Sequence, residues 1–181
     1  WKINPAAPLA LEDSVQYTVK FIARDKAHNL SAETAARTFR FDQSTPTVQI
    51  SSPIHNQSYS SLLTISGTAG DNFDLGAYNP IQTVEYAIIV DTGGWYSRVN
   101  NDFDESAASW TAAANGGNWA SWSADGIPWV SGRTYTLIVR SQDKAGNVHG
   151  ANQYQVTVNS ATFTYDTAAS SIAILNPADS L

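Results

Sequence analysis

Two short turns in this chain carry a carboxylate and an amide at the same spacing. One reads Asp143-Lys-Ala-Gly-Asn147 and the other Asp25-Lys-Ala-His-Asn29. An Asp in that place accepts backbone N–H bonds, and the Gly or Asn after it takes a left-handed conformation, which closes a tight turn. The same oxygens would also suit a hard cation such as calcium, which takes six or more oxygen ligands. Two acidic runs, Asp71-Asn-Phe-Asp74 and Asp102-Phe-Asp-Glu105, lack the alternating Asp spacing and distal Glu of an EF-hand loop. They read as solvated loop tips.

The second chemical signal is tryptophan. Five of the 6 Trp lie between Trp95 and Trp129. Exposed indoles can stack on sugar rings, whereas a β-sandwich buries Trp between its sheets. Trp119 and Trp122 have odd spacing, so in one strand they would face opposite ways and one would be exposed. Trp95, Trp110 and Trp122 are the candidate glycan contacts.

Catalysis has little to rest on. His28, His55 and His149 fall in loops, with no Gly-x-Ser-x-Gly nucleophile motif and no His-x-x-x-His zinc pair. No glycine-rich phosphate loop is present, and no motif places two carboxylates as acid and base. The expectation is a non-enzyme.

The elements that would position these groups are strands. Val15, Tyr17, Val19, Phe21 and Ala23 alternate with polar positions, as do Tyr135, Leu137 and Val139. Further strands are expected at 37–41, 47–51, 62–67, 84–90, 95–99, 119–124, 154–159, 162–165 and 171–175. Gly, Pro, Asn and Asp separate them.

The two alternating segments are copies. Tyr17-Thr-Val-Lys-Phe-Ile-Ala-Arg-Asp25-Lys-Ala-His-Asn29 reappears as Tyr135-Thr-Leu-Ile-Val-Arg-Ser-Gln-Asp143-Lys-Ala-Gly-Asn147, an offset of 118 that also carries Trp1 onto Trp119. Phe39-Arg-Phe-Asp42 returns as Phe163-Thr-Tyr-Asp166, and Ile50-Ser-Ser-Pro53 as Ile174-Leu-Asn-Pro177, both offset by 124. A repeat of this period indicates a tandem array. The organisation expected is an excerpt from it. Residues 1–44 would be the second half (strands E, F and G) of one unit. Residues 45–166 would be a complete unit with a Trp-rich C–E insertion, and 167–181 the first strand of the next.

Composition narrows the class. Charged residues make up 14%, the net charge is −6, and there is neither Cys nor Met. An acidic, lightly charged surface argues against nucleic acid, which requires basic patches. Absence of Cys removes disulfides and thiolate metal sites. No signal peptide and no apolar run of spanning length is present, so no membrane insertion is expected in this segment.

Gly132-Arg-Thr-Tyr, Asp143-Lys-Ala-Gly-Asn147, Phe163-Thr-Tyr-Asp166 and Ile65-Ser-Gly-Thr-Ala-Gly-Asp71 together resemble the bacterial immunoglobulin-like repeats of large surface proteins and adhesins. His28 stands where that pattern has Gly, and Ala169-Ser170 where it has Thr-Pro. The resemblance implies an all-β fold of immunoglobulin-like antiparallel β-sandwich repeats in a tandem array, extracellular or on a bacterial cell surface. It implies a stalk, filament or adhesive role. The partners implied are neighbouring repeats of the same or identical chains, including pairing by strand complementation, with surface glycans as the alternative. No cofactor is required. Calcium is the one candidate ion, held at junctions by Asp25 and Asp42, by Asp143 and Asp166, and by Asp71 near either. Tyr17 and Tyr135 resemble the tyrosine that corners such folds by bonding backbone.

Overall fold

A computed structural model describes residues 9–72, 80–150 and 154–172 of the chain, and among them there is no helix. Two sheets face each other across one core. The smaller contains β3 (Thr47–Ser52), β5 (Thr64–Gly70), β10 (Ala114–Asn115) and β11 (Trp122–Asp125), in the order β10-β11-β5-β3. The larger runs β4-β14-β12-β6-β7-β8, built from β4 (Ser58–Tyr59), β6 (Ile81–Val90), β7 (Trp95–Ser97), β8 (Asp102–Glu105), β12 (Arg133–Asp143) and β14 (Ser160–Tyr165). Two short strands attach to it, β9 (Thr111–Ala112) on β6 and β13 (Val148–His149) on β12. A separate two-stranded sheet joins β1 (Val15–Val19) to β2 (Arg37–Phe41).

Period-two alternation decides which side chains meet in the core. Tyr135, Leu137 and Val139 of β12, Val84, Tyr86 and Ile88 of β6, and Phe163 of β14 face Val48, Ile65 and Trp122 of the opposite sheet. The Trp122 indole lies over Gly67, where a Cβ would stand 2.5 Å from the ring and 1.9 Å from the Gln49 carbonyl oxygen. Trp129 seals the far end, 4.8 Å from Tyr135 and 5.2 Å from Phe163 by ring centroids, with Nε1–H donating to the Leu62 carbonyl at 2.7 Å. This is an immunoglobulin-like β-sandwich.

Several expected elements differ. The strand expected at 154–159 is a turn: the Gln155 carbonyl accepts the N–H groups of Val158, Asn159 and Ser160, and Gln155 N–H donates to Asn159 Oδ1 at 2.7 Å. Asn159 is buried, and its side chain closes this turn before β14 begins. The strand expected at 95–99 ends at Ser97, and the one expected at 119–124 begins only at Trp122. The acidic run at 102–105 is strand β8, paired with β7, and not a loop tip. Of the strands expected in 1–44, the described residues form β1 and β2. Beyond Val19 the pairing continues through mixed bonds: Phe21 N–H donates to Thr34 Oγ1 and Ala23 N–H to Ser31 Oγ, both at 2.9 Å, while Thr34 N–H and Ser31 N–H donate back to the Phe21 and Ala23 carbonyls. Residues 167–172 contain no strand, and the rest of the segment expected to begin a following unit lies outside the described residues, as do Trp1 and Asp74.

The sequence repeat is also a structural one. Tyr17 pairs with Phe39 as Tyr135 pairs with Phe163. The rings stack at 5.5 Å and 23° in the first pair and 5.7 Å and 27° in the second. Each tyrosine hydroxyl accepts the N–H five residues upstream, from Glu12 at 2.6 Å and from Val130 at 2.8 Å.

Candidate metal centre

β12 climbs from Arg133 to Asp143, and its turn delivers Asp143 to one end of the sandwich. β3 starts at that end, because Thr47 is paired with Gly70, the last residue of β5. Asp71 follows Gly70 directly, and the short segment from Asp42 to Pro46 enters β3 at the same place. One carboxylate oxygen from each of Asp42, Asp71 and Asp143 lies within 4.8 Å of the other two.

Each carboxylate is held differently. Asp143 is fully buried. Its Oδ1 accepts the N–H groups of Gly146 at 2.7 Å and Asn147 at 2.9 Å, and its Oδ2 accepts Asn147 Nδ2–H at 2.8 Å. Asn147 Nδ2 also donates to the Asp42 carbonyl at 3.2 Å, tying the turn to the end of the β1–β2 segment. Asp42 Oδ1 accepts Ser44 N–H at 3.1 Å. Asp71 Oδ1 accepts Asn72 N–H at 2.7 Å, whereas its Oδ2 is buried and has no hydrogen-bond partner among the described residues. Burial pushes the Asp71 carboxyl above its ordinary range, and the charges of Asp42, Asp143 and Asp13 add to that shift. Burial likewise raises Asp42, with a smaller contribution from Asp143.

A fourth acid supports the rim. Asp13 accepts Gln43 N–H at 2.6 Å and the Ser44 hydroxyl, while Ser44 Oγ accepts Asn72 Nδ2–H at 2.8 Å. The Ser44 hydroxyl and then the Gln43 amide hold the Asp13 carboxyl below its ordinary range. Sequence reasoning passed over Asp13, although the 118-residue offset places it on Ser131. The equivalent bonds exist there: Thr167 N–H donates to Ser131 Oγ at 2.9 Å.

The expected grouping of carboxylates is corrected by topology. Asp25 does not meet Asp42, nor Asp143 Asp166. The turn after β12 and the segment after β14 lie at opposite ends of the sandwich, so the turn meets the segment that follows the β1–β2 hairpin instead. Asp25 is exposed and repeats the Asp143 turn alone, accepting Asn29 N–H at 2.8 Å and Asn29 Nδ2–H at 2.9 Å. Asp166 is exposed at the other end, accepting the Ser131 hydroxyl at 3.1 Å and Ala168 N–H at 2.9 Å.

The three glycan candidates differ in exposure. Trp122 is 1% exposed, so the expectation that it contacts a ligand is corrected. Trp119 is buried too; its φ of 59° places it in a left-handed turn, so the two-face argument from strand spacing did not apply. Trp110 is half-buried, with the Arg140 guanidinium 4.1 Å over its ring and Tyr154 stacked at 6.3 Å. Trp95 is half-buried at the start of β7, opposite Ile89 and Glu105.

No family model matches the chain, and no curated protein matches it. Among solved structures it is similar to CopC from Methylosinus trichosporium OB3b, at 12% identity and a TM-score of 0.43, over 67% of this chain and 93% of that one. It is also similar to the fibronectin(III)-like modules of Clostridium thermocellum CbhA, at 14% identity and a TM-score of 0.40, over 90% of this chain and 68% of that one. The sheets described above define the class: an immunoglobulin-like β-sandwich module.

Proposed function

We propose that this chain is a structural module of an extracellular bacterial repeat protein, a stalk or filament spacer, with calcium bracing the junction between consecutive units. Asp42, leaving one unit, would hold the ion together with Asp71 and Asp143 of the next. The observation that carries this reading is the convergence of three carboxylates from three segments on one point, with Asp71 Oδ2 buried and unpartnered among the described residues. A hard divalent cation fits an all-oxygen set. When bound, it supplies positive charge that offsets mutual repulsion and the loss of hydration. Asp143 is preoriented by its turn, Asp42 couples the preceding hairpin to the ion, and the buried Pro46 limits the freedom of the segment between. The role is geometric, since fixing the junction fixes the angle between units.

Isothermal titration of the chelator-treated chain with calcium, beside the Asp42→Asn, Asp71→Asn and Asp143→Asn variants, tests this. One site per chain, lost or weakened at least tenfold in each variant, is expected. Absence of binding at millimolar calcium would refute the brace and leave the cluster as a hydrogen-bonded junction.

A further inference from the structure

Beneath the carboxylates the core holds a serine hydroxyl that the protein itself does not satisfy. Ser141 is 0% exposed, and its Oγ has no hydrogen-bond partner among the described residues. Period-two alternation puts Ser141 on the same inner face of β12 as Asp143, two residues deeper in the sandwich. His149 of β13 stands directly opposite Ser141, so the two side chains project to one face. His149 Nδ1 is likewise buried with no partner among the described residues, as is Asp71 Oδ2. A buried polar atom with no protein partner costs stability, so its retention points to a water or an ion.

Distance chooses between the two. Residues two apart on a strand are separated by about 7 Å, whereas calcium lies about 2.4 Å from its oxygen ligands. An ion on Asp143 is too far from the Ser141 hydroxyl for direct ligation. One water between them spans about 5 Å, from the ion through its own oxygen to the hydroxyl. We propose, resting on the calcium reading above, that a water held by Ser141 and His149 is the ion's ligand from the inner side of the sandwich. That water accepts the Ser141 O–H and turns its other lone pair to the ion. It donates one hydrogen to His149 Nδ1, with His149 as the Nε2–H tautomer, and the other to the Asp71 carboxylate. About three polar partners is the ordinary complement of a buried water. Three carboxylates leave calcium short of the six to eight oxygens it takes, and the water supplies one more.

The sequence repeat provides an internal contrast. Its offset carries Ser141 onto Ala23 and His149 onto Ser31. Ala23 has no hydroxyl, and Ser31 Oγ is taken by Ala23 N–H at 2.9 Å. Asp25, which repeats the Asp143 turn, joins no cluster of three carboxylates among the described residues. The copy with the cluster carries the two unsatisfied groups, and the copy without it carries neither.

The test is calcium titration of Ser141→Ala beside the wild type and Asp143→Asn. Europium(III) serves as a luminescent substitute, because its lifetimes in ordinary and heavy water count the waters on the ion. Ser141→Ala should bind calcium about tenfold more weakly, as expected for a group that holds a metal's ligand. Its thermal midpoint in chelator should hold or rise, since an unpartnered hydroxyl is gone. A hydroxyl that served packing alone would lower the midpoint with and without calcium. Ser141→Val, which fills the place of the water, should leave europium with one water fewer than in the wild type. Unchanged affinity in Ser141→Ala, or an unchanged water count in Ser141→Val, overturns the proposal. The calcium reading then still stands if Asp143→Asn weakens binding, whereas a wild type that binds no calcium overturns both.

Discussion

Asp71→Asn should change the stability of this chain in opposite directions with and without calcium. Three carboxylates lie within 4.8 Å of one another. At an effective dielectric of about 20, two unit charges at that distance repel by ~3.5 kcal/mol. Asp42 and Asp71 are partly open to water, and screening leaves about 1 kcal/mol of that. In chelator the neutral amide therefore stabilises by about 1 kcal/mol. For a chain of this size that is an unfolding midpoint roughly 2–4 °C higher. Calcium at a hundred times its dissociation constant adds about 2.7 kcal/mol to the wild type. Ligand charge count tunes calcium affinity over decades. A hundredfold weaker site retains only about 0.4 kcal/mol of that gain at the same concentration. The variant in calcium then lies about 1.3 kcal/mol below the wild type, roughly 3–5 °C lower in midpoint. Differential scanning fluorimetry with excess chelator and with millimolar calcium reads both signs. A substitution effect of one sign in both buffers, or a wild-type midpoint indifferent to calcium, would refute the electrostatic argument.

Four further outcomes follow from other contacts. In chelator, raised carboxyls at Asp42 and Asp71 contribute stability that is present below the ordinary carboxylate value and lost as pH rises through the raised one. The double variant Asp42→Asn/Asp71→Asn should accordingly gain on the wild type as urea unfolding is repeated from about pH 4 to about pH 7, and a constant gap would count against burial as the cause. Gly67→Ala forces a Cβ to within 1.9 Å of the Gln49 carbonyl; at least ~3 kcal/mol lost in urea unfolding is expected, and less than about 1 would mean that β3 and β5 separate easily. Tyr135→Phe removes the acceptor of Val130 N–H and should cost about 1 kcal/mol by the same assay, whereas a neutral result would assign the corner to ring packing alone. Gly146 has a φ of 99° and its counterpart His28 a φ of 71°; Gly146→Ala should cost about 1 kcal/mol and His28→Gly should relieve comparable strain, measured as exchange rates in each turn.

The repeat offsets carried more structural information than any single residue type. Shifts of 118 and 124 residues, read from strings of letters, fix the pairing of Tyr17 with Phe39 once Tyr135 is paired with Phe163. They also placed the two Asp turns, because local bonds from Asp to the following amides depend only on nearby sequence. Strand alternation found β1 and β12 for the same reason. What the letters did not reveal was which ends meet. Asp71 is brought beside the segment from Asp42 by β3 pairing antiparallel with β5, and Asp143 by the bond from Asn147 to the Asp42 carbonyl, contacts between segments with no shared motif. Trp122 was misassigned because spacing arguments assume a strand, and the left-handed turn at Trp119 breaks the alternation just before β11 begins.

Antiparallel topology makes the cluster a property of the junction between the β1–β2 hairpin and the sandwich. The turn after β12 lies at the end of the sandwich where β3 begins, and Asp166 at the opposite end. Asp166 therefore cannot meet the turn that carries Asp143, whereas Asp42 can. Asp166 keeps its side chain on Ser131 and Ala168, as Asp42 keeps its on Ser44 while its main chain is tied to Asn147. Asp25 has the turn geometry of Asp143, yet among the described residues no other carboxylate joins it in a cluster of three. An ion bound through Asp42, Asp71 and Asp143 would register the angle between the β1–β2 hairpin and the sandwich and leave the sandwich intact without it. Chelation should therefore alter the orientation of β1–β2 relative to the larger sheet before it alters the exchange of core amides in β6 and β12. If those core amides lost protection first, the ion would be holding up the sandwich itself and the junction argument would fail.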